Sequence, residues 1–449
     1  MAALKTAELS SLKSQPIDTR KSAAPRTSAT FWLVVVALLV RLAFLLIAHG
    51  VHFVPSTGGY PALFQNEVTN IAASVANGFG YQDPFVSTVA GNPGFPPSSW
   101  VPPVYPYFCA GVFKLFGVFS TPSFFFLVLA QCVMSALTTI PIMRVGELTV
   151  GKRPAIVAAS IWALFPWFSQ WCNTFFWEMN LSALVFLCLF WYALRLDRSH
   201  EWRLWLGYGA LWGFALLVNP ALAPLLPVSL LWLAWRHPSD RTTLLRQSAA
   251  AILLCCVVIT PWLIRNRIAF GEWAFIRTNF GFEFWMSNFH GSKGRDWVGR
   301  HPMGNPAEMA AYLEKGELRY CQDKYAIGKQ FVRDYPVEFA LLTLKRIPMF
   351  WDGSSIKHSY PAAPYWLPWS FPLFSLLMIP SLILVCADRV HGWPLYLWSV
   401  LLYPFPYYIV HSQARFRHVL EPVMLLLIGY AVIELVDRVR ERTHRSEAM

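Results

Sequence analysis

Charge is what this sequence has least of. Its 449 residues include 25 Asp and Glu and 37 Lys and Arg, together 14% of the chain. A soluble globular domain carries roughly 25%. Charges this sparse cannot coat the roughly three soluble domains that the length would otherwise allow. They exclude a disordered chain and a coiled coil as well. The eight cysteines are scattered, mostly inside apolar runs, and form no CxxC, so neither a disulfide framework nor a zinc site is signalled. No HExxH, Walker A, GxGxxG or GxSxG stands in a supporting context, which leaves ATP hydrolysis and soluble nucleotide-sugar binding without support. The basic excess of 12 sits in short clusters between apolar runs, not on one soluble face, and this excludes nucleic acid as a partner. What is abundant is apolar surface: 55% of residues are hydrophobic and 16% aromatic. The composition is that of an all-α polytopic membrane protein.

Apolar runs long enough for a bilayer lie at 31–50, 122–143, 154–172, 178–196, 204–218, 221–235, 247–263, 366–386, 393–410 and 419–436, about ten transmembrane helices. The first run is too long for a signal-peptide core and reads as a retained anchor. Arg41 lies inside it, where a buried pair or snorkelling is expected as readily as a functional role. Ten spans put the clusters at Arg144, Lys152 and Arg153, at Arg195, Arg198 and Arg203, at Arg236, Arg241 and Arg246, at Arg389, and at Arg438 to Arg445 on one side, the cytoplasmic one, with both termini. The proline-rich segment 103–118 is then an interfacial or re-entrant helix, because a further span would invert every later cluster. The expected organisation is a flexible tail at 1–30, a membrane module at 31–263 with a first outer loop at 51–121, an outer loop region at 264–365, C-terminal spans at 366–438, and a cytoplasmic tail at 439–449. Long loops on one membrane face carry function. Trp100, Trp171, Trp177, Trp366 and Trp369 fall at expected outer boundaries, as an aromatic belt would.

Outside 264–365 this topology leaves only Glu67, Asp83, Glu178 and Glu421 as outer carboxylates. Val68, Ile71, Ala72 and Val75 recur at helical spacing, so Glu67 opens a short amphipathic helix that stops near Gly78 and Gly80. A carboxylate there complements the helix dipole, or serves as a general base or metal ligand. Glu178 opens a span after Phe175-Phe176-Trp177; an ionisable group at that depth is a site candidate, or a wetted interfacial residue. Asp83 precedes Pro84, as turn residues do, and Asn219 precedes Pro220 between two spans, either a turn or a polar site residue. Glu421 reads equally as a helix start near Arg417. Arg265 and Arg267, and Arg415, Arg417 and His418, break the positive-inside trend. Guanidinium groups recognise phosphate through a bidentate fork, so an anionic headgroup explains cations kept there; ordinary lipid phosphate is the blander explanation.

Four segments in this order resemble the C-type glycosyltransferase superfamily, in particular bacterial relatives of the protein O-mannosyltransferases and of the lipid A aminoarabinose transferase. They are NEVTNIAASVANGFGYQDPF, WVPPVYPYFCAGVFKLFG, TPWLIRNRIAFGEWAFIRTNFG and ARFRHVLEPVMLLL. The resemblance implies a multi-pass plasma-membrane enzyme that takes a sugar from a polyprenyl phosphate at the outer face, by inversion, with an acidic residue of the first outer loop as base. Glu67 stands at that position, and Glu178 at the acidic position of the second outer loop. Many relatives carry an adjacent Asp-Glu pair where this chain has Asn66 before Glu67. The candidate site is therefore Glu67 and Glu178 as catalytic residues, Arg265, Arg267, Arg415 and Arg417 for the donor phosphate, and Asn66, Asp83, Asn219 and His418 beside them. A divalent metal is an open question, since hard oxygen ligands are few. Membrane lipid is a partner; the acceptor is not specified. The other readings are a lipid or polysaccharide transporter, which span count alone suggests, and a non-enzymatic envelope assembly factor docking through the long outer loop.

Overall fold

The computed structural model describes residues 27–49, 64–85, 95–174, 176–295, 298–353 and 367–447. Among them every regular element is a helix, apart from one isolated bridge between Gln82 and Pro97. Six helices are long and apolar enough to cross a membrane: Ala29–Ile47, Thr121–Leu148, Met179–Leu196, Arg241–Phe270, Trp369–Ala387 and Ala414–Ser446. A seventh is the pair Lys152–Leu164 and Pro166–Asn173, bent by 50°. At the other three expected positions the helices are shorter. Trp202–Val218 has 17 residues, and Pro220–Arg236 and the pair Trp393–Leu402 and Phe405–Ile409 are more broken. Seventeen residues rise about 25 Å, at the short end of what crosses a hydrocarbon core of about 30 Å, so helix length among the described residues supports six or seven spans.

The bend explains Arg41. Pro166 has no N–H to give the carbonyl of Trp162, one helical turn back. Arg41, fully buried, donates to that oxygen at 3.0 Å, to Ala163 O at 3.4 Å, to Ala37 O at 3.0 Å and to Ser135 Oγ at 2.8 Å. A cation inside a span here stitches three helices across a break. Elsewhere small residues do the packing. A Cβ on Gly209 would lie 2.2 Å from the Ala251 carbonyl oxygen, so glycine sets how closely Trp202–Val218 approaches Arg241–Phe270.

The helix expected to open at Glu67 is present. Asn66 caps Glu67–Ala76: its side chain accepts from the amides of Val68 and Thr69, while Thr69 Oγ1 accepts from the Asn66 amide. The helix gives way to Gly78 and Gly80 at φ of 85° and 87°, conformations that glycine adopts without strain. Val104–Phe116, 13 residues long, is too short to span and packs against Glu67–Ala76. An aromatic cluster locks this pair to the bundle: Phe64 meets Phe124 at 5.3 Å and Phe176 at 4.9 Å between ring centroids. Phe64 lies three residues before Glu67 and Phe176 two before Glu178, so the cluster ties both carboxylates to one scaffold. Such pairs contribute about 0.5–1.5 kcal/mol each beyond their burial.

Two expectations need correction. The helix from Arg241 continues to Phe270, so Arg265 and Arg267 sit on it and not after it. Trp100, Trp171 and Trp177 are buried among protein side chains, so they form no lipid-facing belt; Trp369 is 72% exposed. Trp366 lies outside the described residues. Among the described residues, region 264–365 also carries the helices Phe280–Ser287, Pro306–Lys315, Glu317–Asp334 and Pro336–Asp352.

Candidate functional site

Four segments meet around one cavity of about 410 Å³. They are Trp177 to Met179 at the head of a span, the turn at Asn219 to Pro224, the stretch from Phe275 to Glu283, and Pro406 to Phe416. The turn forms because the Asn219 side chain accepts from the Ala221 amide and Pro220 fixes the next φ. Most of the wall is apolar, including Met179, Phe275, Phe280, Tyr407, Val410 and Phe416. The polar lining is Glu178, Asn219, Arg277, Asn279, Glu283, His411 and Arg415.

Among the described residues, Arg415 is the cation of this cavity that makes no hydrogen bond or ion pair. Its guanidinium lies over the Trp177 ring at 4.3 Å and near Phe416 at 5.3 Å. Its Nε is buried, and no acceptor among the described residues takes a hydrogen bond from it. Trp177 holds the charge in place through its π-face while leaving the N–H donors free. Arg277 is more committed: it donates through Nε to Trp100 O at 3.0 Å and lies 3.5 Å from Glu283. Glu283 accepts from Asn279 at 2.8 Å and lies 3.5 Å from His411. Glu178, 5% exposed, stands one residue outside its span. Burial raises its pKa above the ordinary carboxylate value, although Arg277 and Arg415 act in the opposite direction.

Glu67 lies on the first outer helix, with its side chain 17% exposed and its Oε1 3.3 Å from His301 Nε2 of the long outer region. Burial pushes the Glu67 carboxyl up, but contact with His301, its own backbone amide and the charge of Arg415 outweigh it and leave the pKa below the usual value. Arg415 is thus the cation acting on both Glu67 and Glu178.

The structure brings Glu178, Asn219 and Arg415 together; Glu67 is not part of that lining, but the charge of Arg415 acts on it. The other candidates lie elsewhere. Arg265 donates to Ser98 O at 2.6 Å and Tyr81 O at 2.7 Å and packs over Tyr81 and Trp262, clamping the first outer segment to its helix. Arg267 donates to the Gly271 carbonyl at the exposed end of the same helix. Arg417 is fully buried: Nη1 donates to Phe371 O at 2.7 Å, Ser375 Oγ at 2.8 Å and Trp351 O at 3.1 Å, and Nη2 to Glu421 at 3.1 Å. His418 lies 2.7 Å from Glu421 and 3.1 Å from Asn180, and Trp167 completes that cluster. Asn66 is the helix cap already described. Asp83 is buried in a turn at φ 60° before Pro84, where its charge acts on Tyr312. Arg277, Asn279, Glu283 and His411 were not singled out by sequence reasoning. Arg277, Asn279 and His411 nevertheless stand within or beside the motif segments, in FIRTNFG and HSQARFR. Among the described residues no three His, Cys, Asp or Glu side chains converge as a metal site.

Residues 100–264 match the family model for dolichyl-phosphate-mannose-protein mannosyltransferase. No curated protein matches by sequence. Among solved structures the chain is similar to the oligosaccharyltransferase of Archaeoglobus fulgidus. The apo crystal structure gives a TM-score of 0.57 at 14% identity, over 94% of this chain and 52% of that one. That protein, AglB, in complex with an inhibitory peptide and a dolichol-phosphate gives 0.55 at 14% identity, over 94% and 52%. Its complex with Zn and sulfate gives 0.54 at 14% identity, over 91% and 50%. The chain spans about half the length of the solved protein it matches, and at this identity the likeness is one of fold. The segment match and the shared architecture bear out the resemblance read from the sequence: this is a multi-pass membrane protein with the fold of the C-type glycosyltransferases.

Proposed function

We propose that this chain is a membrane glycosyltransferase that moves a sugar from a polyprenyl-phosphate donor to an acceptor at the outer face of the plasma membrane, with both termini cytoplasmic. The observation that carries the reading is Arg415, a guanidinium on the wall of a largely apolar cavity that donates no hydrogen bond among the described residues. A lipid phosphate is the ligand whose two halves match that arrangement. The isoprenoid lies on Phe275, Phe280 and Phe416, and the phosphate meets Arg415 and Arg277. Asn219, Asn279, Glu283 and His411 then face the sugar hydroxyls.

The reaction is a single in-line displacement. The acceptor's nucleophilic atom bonds to the anomeric carbon as the bond from that carbon to the phosphate oxygen breaks, which inverts the configuration. The acceptor's proton passes to Glu67, which its surroundings keep ionised. The polyprenyl phosphate leaves with one more negative charge than the donor carried, and Arg415 and Arg277 stabilise it. Such stabilisation contributes about 10²–10³ in rate, and a positioned base about 10²–10⁴. The solved relative binds a dolichol-phosphate, which supports the donor class for a chain of the same fold. Zinc and sulfate were found in that relative, but the described residues offer no three-ligand site and no step here runs through a metal.

The test is purified protein incubated with a panel of polyprenyl-phosphate sugars and acceptors, measuring release of the free carrier phosphate. Release that falls at least about 100-fold in Glu67→Gln is expected. Folded wild type that releases nothing from any donor, yet passes lipid-linked sugar across proteoliposomes unchanged, would make the chain a transporter.

A further inference from the structure

The contact between Glu67 and His301 joins two regions 234 positions apart in the chain, the first outer helix and the long outer region. His301 sits in an aromatic collar, edge-on to Phe85 at 5.3 Å, Phe282 at 5.4 Å and Trp100 at 6.4 Å. The collar fixes the plane of the ring. Its tautomer is set by a second contact: the Met303 amide donates to His301 Nδ1 at 3.2 Å. A nitrogen that accepts an amide proton carries none of its own, so the ring proton of the neutral imidazole is on Nε2, facing Glu67 Oε1. His301 is therefore arranged as a donor to the carboxylate. It has no free lone pair with which to act as a base itself.

We propose that His301 is a positioning residue for Glu67: it holds the carboxylate in one rotamer and in its ionised form, so the base is complete only when the long outer region is folded against the first outer helix. This rests on the glycosyltransferase reading above and deepens it. Without the donor, burial acts on Glu67 with Arg415 as the remaining cation opposing it. On the packed helix Val104–Phe116 the one charged residue, Lys114, is exposed, and Asp83 on the neighbouring turn acts on Tyr312. Loss of the donor therefore moves the Glu67 carboxyl upward, and a base that must be ionised fails sooner as pH falls.

Two variants of the full chain test this. His301→Phe keeps a ring in the collar and removes the donor; His301→Gln keeps an N–H donor. The measurement is kcat for carrier-phosphate release from about pH 5 to pH 8, with donor KM and Tm alongside. Wild type is expected to stay flat down to about pH 5. His301→Phe is expected to lose activity about tenfold by the acid end, its acid limb about one pH unit or more higher, with donor KM unchanged. His301→Gln is expected to restore most of the wild-type profile. An active His301→Phe with the wild-type acid limb, or equal losses in both variants at every pH, would overturn the proposal while leaving the function standing. Wild type inactive with every donor and acceptor would remove the function itself.

Discussion

Arg415 and Arg417 are two residues apart, yet they belong to opposite kinds of polar site. Arg417 lies in a buried cluster with Glu421, His418, Asn180 and Trp167, where its terminal nitrogens make four hydrogen bonds. Arg415 lies on a tryptophan face at a cavity wall and makes none among the described residues. The membrane core gives the same lesson at Arg41, whose donors go to helix carbonyls and Ser135. A cation held for structure commits most of its donors within the fold, as Arg417 does with both terminal nitrogens and only Nε left over, because an unpaired charge in hydrocarbon costs several kcal/mol. A cation held for a ligand keeps its donors free and is held by its π-contacts instead. Residue type and local sequence do not separate the two cases; the partners do.

The comparison can be broken at either end. The largest expected effect is at the base that shares the Arg415 field: Glu67→Gln lowers carrier release by about 10²–10⁴ with little change in Tm, since the amide keeps the shape. Next is Arg417→Ala, which leaves Glu421 buried without its guanidinium partner and costs about 3–5 kcal/mol, read as a fall in thermal stability in detergent or nanodisc. Arg415→Ala should do the reverse: about 10²–10³ lost in rate and stability within about 1 kcal/mol of wild type. Glu178 supplies a smaller, pH-dependent effect. Its folded pKa is above the unfolded value, so the folded state holds a proton that the unfolded state has lost, and stability falls as pH rises through that window. Glu178→Gln should flatten that dependence and raise stability at neutral pH by about 1 kcal/mol. Smallest of all is Arg267→Ala. Its side chain caps an exposed helix end, and both rate and stability should stay within about 0.5 kcal/mol of wild type.

Much of this was legible in the sequence because it depends on local pattern. The short helix opening at Glu67 follows from its apolar spacing, and its stop from Gly78 and Gly80. The non-spanning helix at 104–116 follows from its prolines and the charge clusters around it. Glu178, Asn219 and Arg415 stand at predicted span ends, where the chain must turn, and the turns bring them together. What stayed hidden is what needs chain reversal over long distances. Arg277 and Glu283 enter the cavity because the backbone after Phe270 folds back onto the bundle, and no periodicity records that. His301 reaches Glu67 from farther along the same region. Arg265 looks like a headgroup ligand in the sequence, but its hydrogen bonds to Ser98 and Tyr81 are contacts that composition cannot reveal. The span count is imprecise for a related reason: apolar runs broken by proline, such as 393–410, fold as short helices, not one full span.

The central claim is that the cavity at Arg415 holds a polyprenyl phosphate, and direct binding tests it most simply. Purified wild type, Arg415→Ala and Arg267→Ala would be titrated with undecaprenyl phosphate and read by native mass spectrometry or ligand-induced thermal shift. Wild type and Arg267→Ala should bind alike, and Arg415→Ala about tenfold or more weakly, as loss of a charge-assisted phosphate contact requires. Equal binding by all three proteins, each shown to be folded, would contradict the account and move the lipid phosphate away from this cavity.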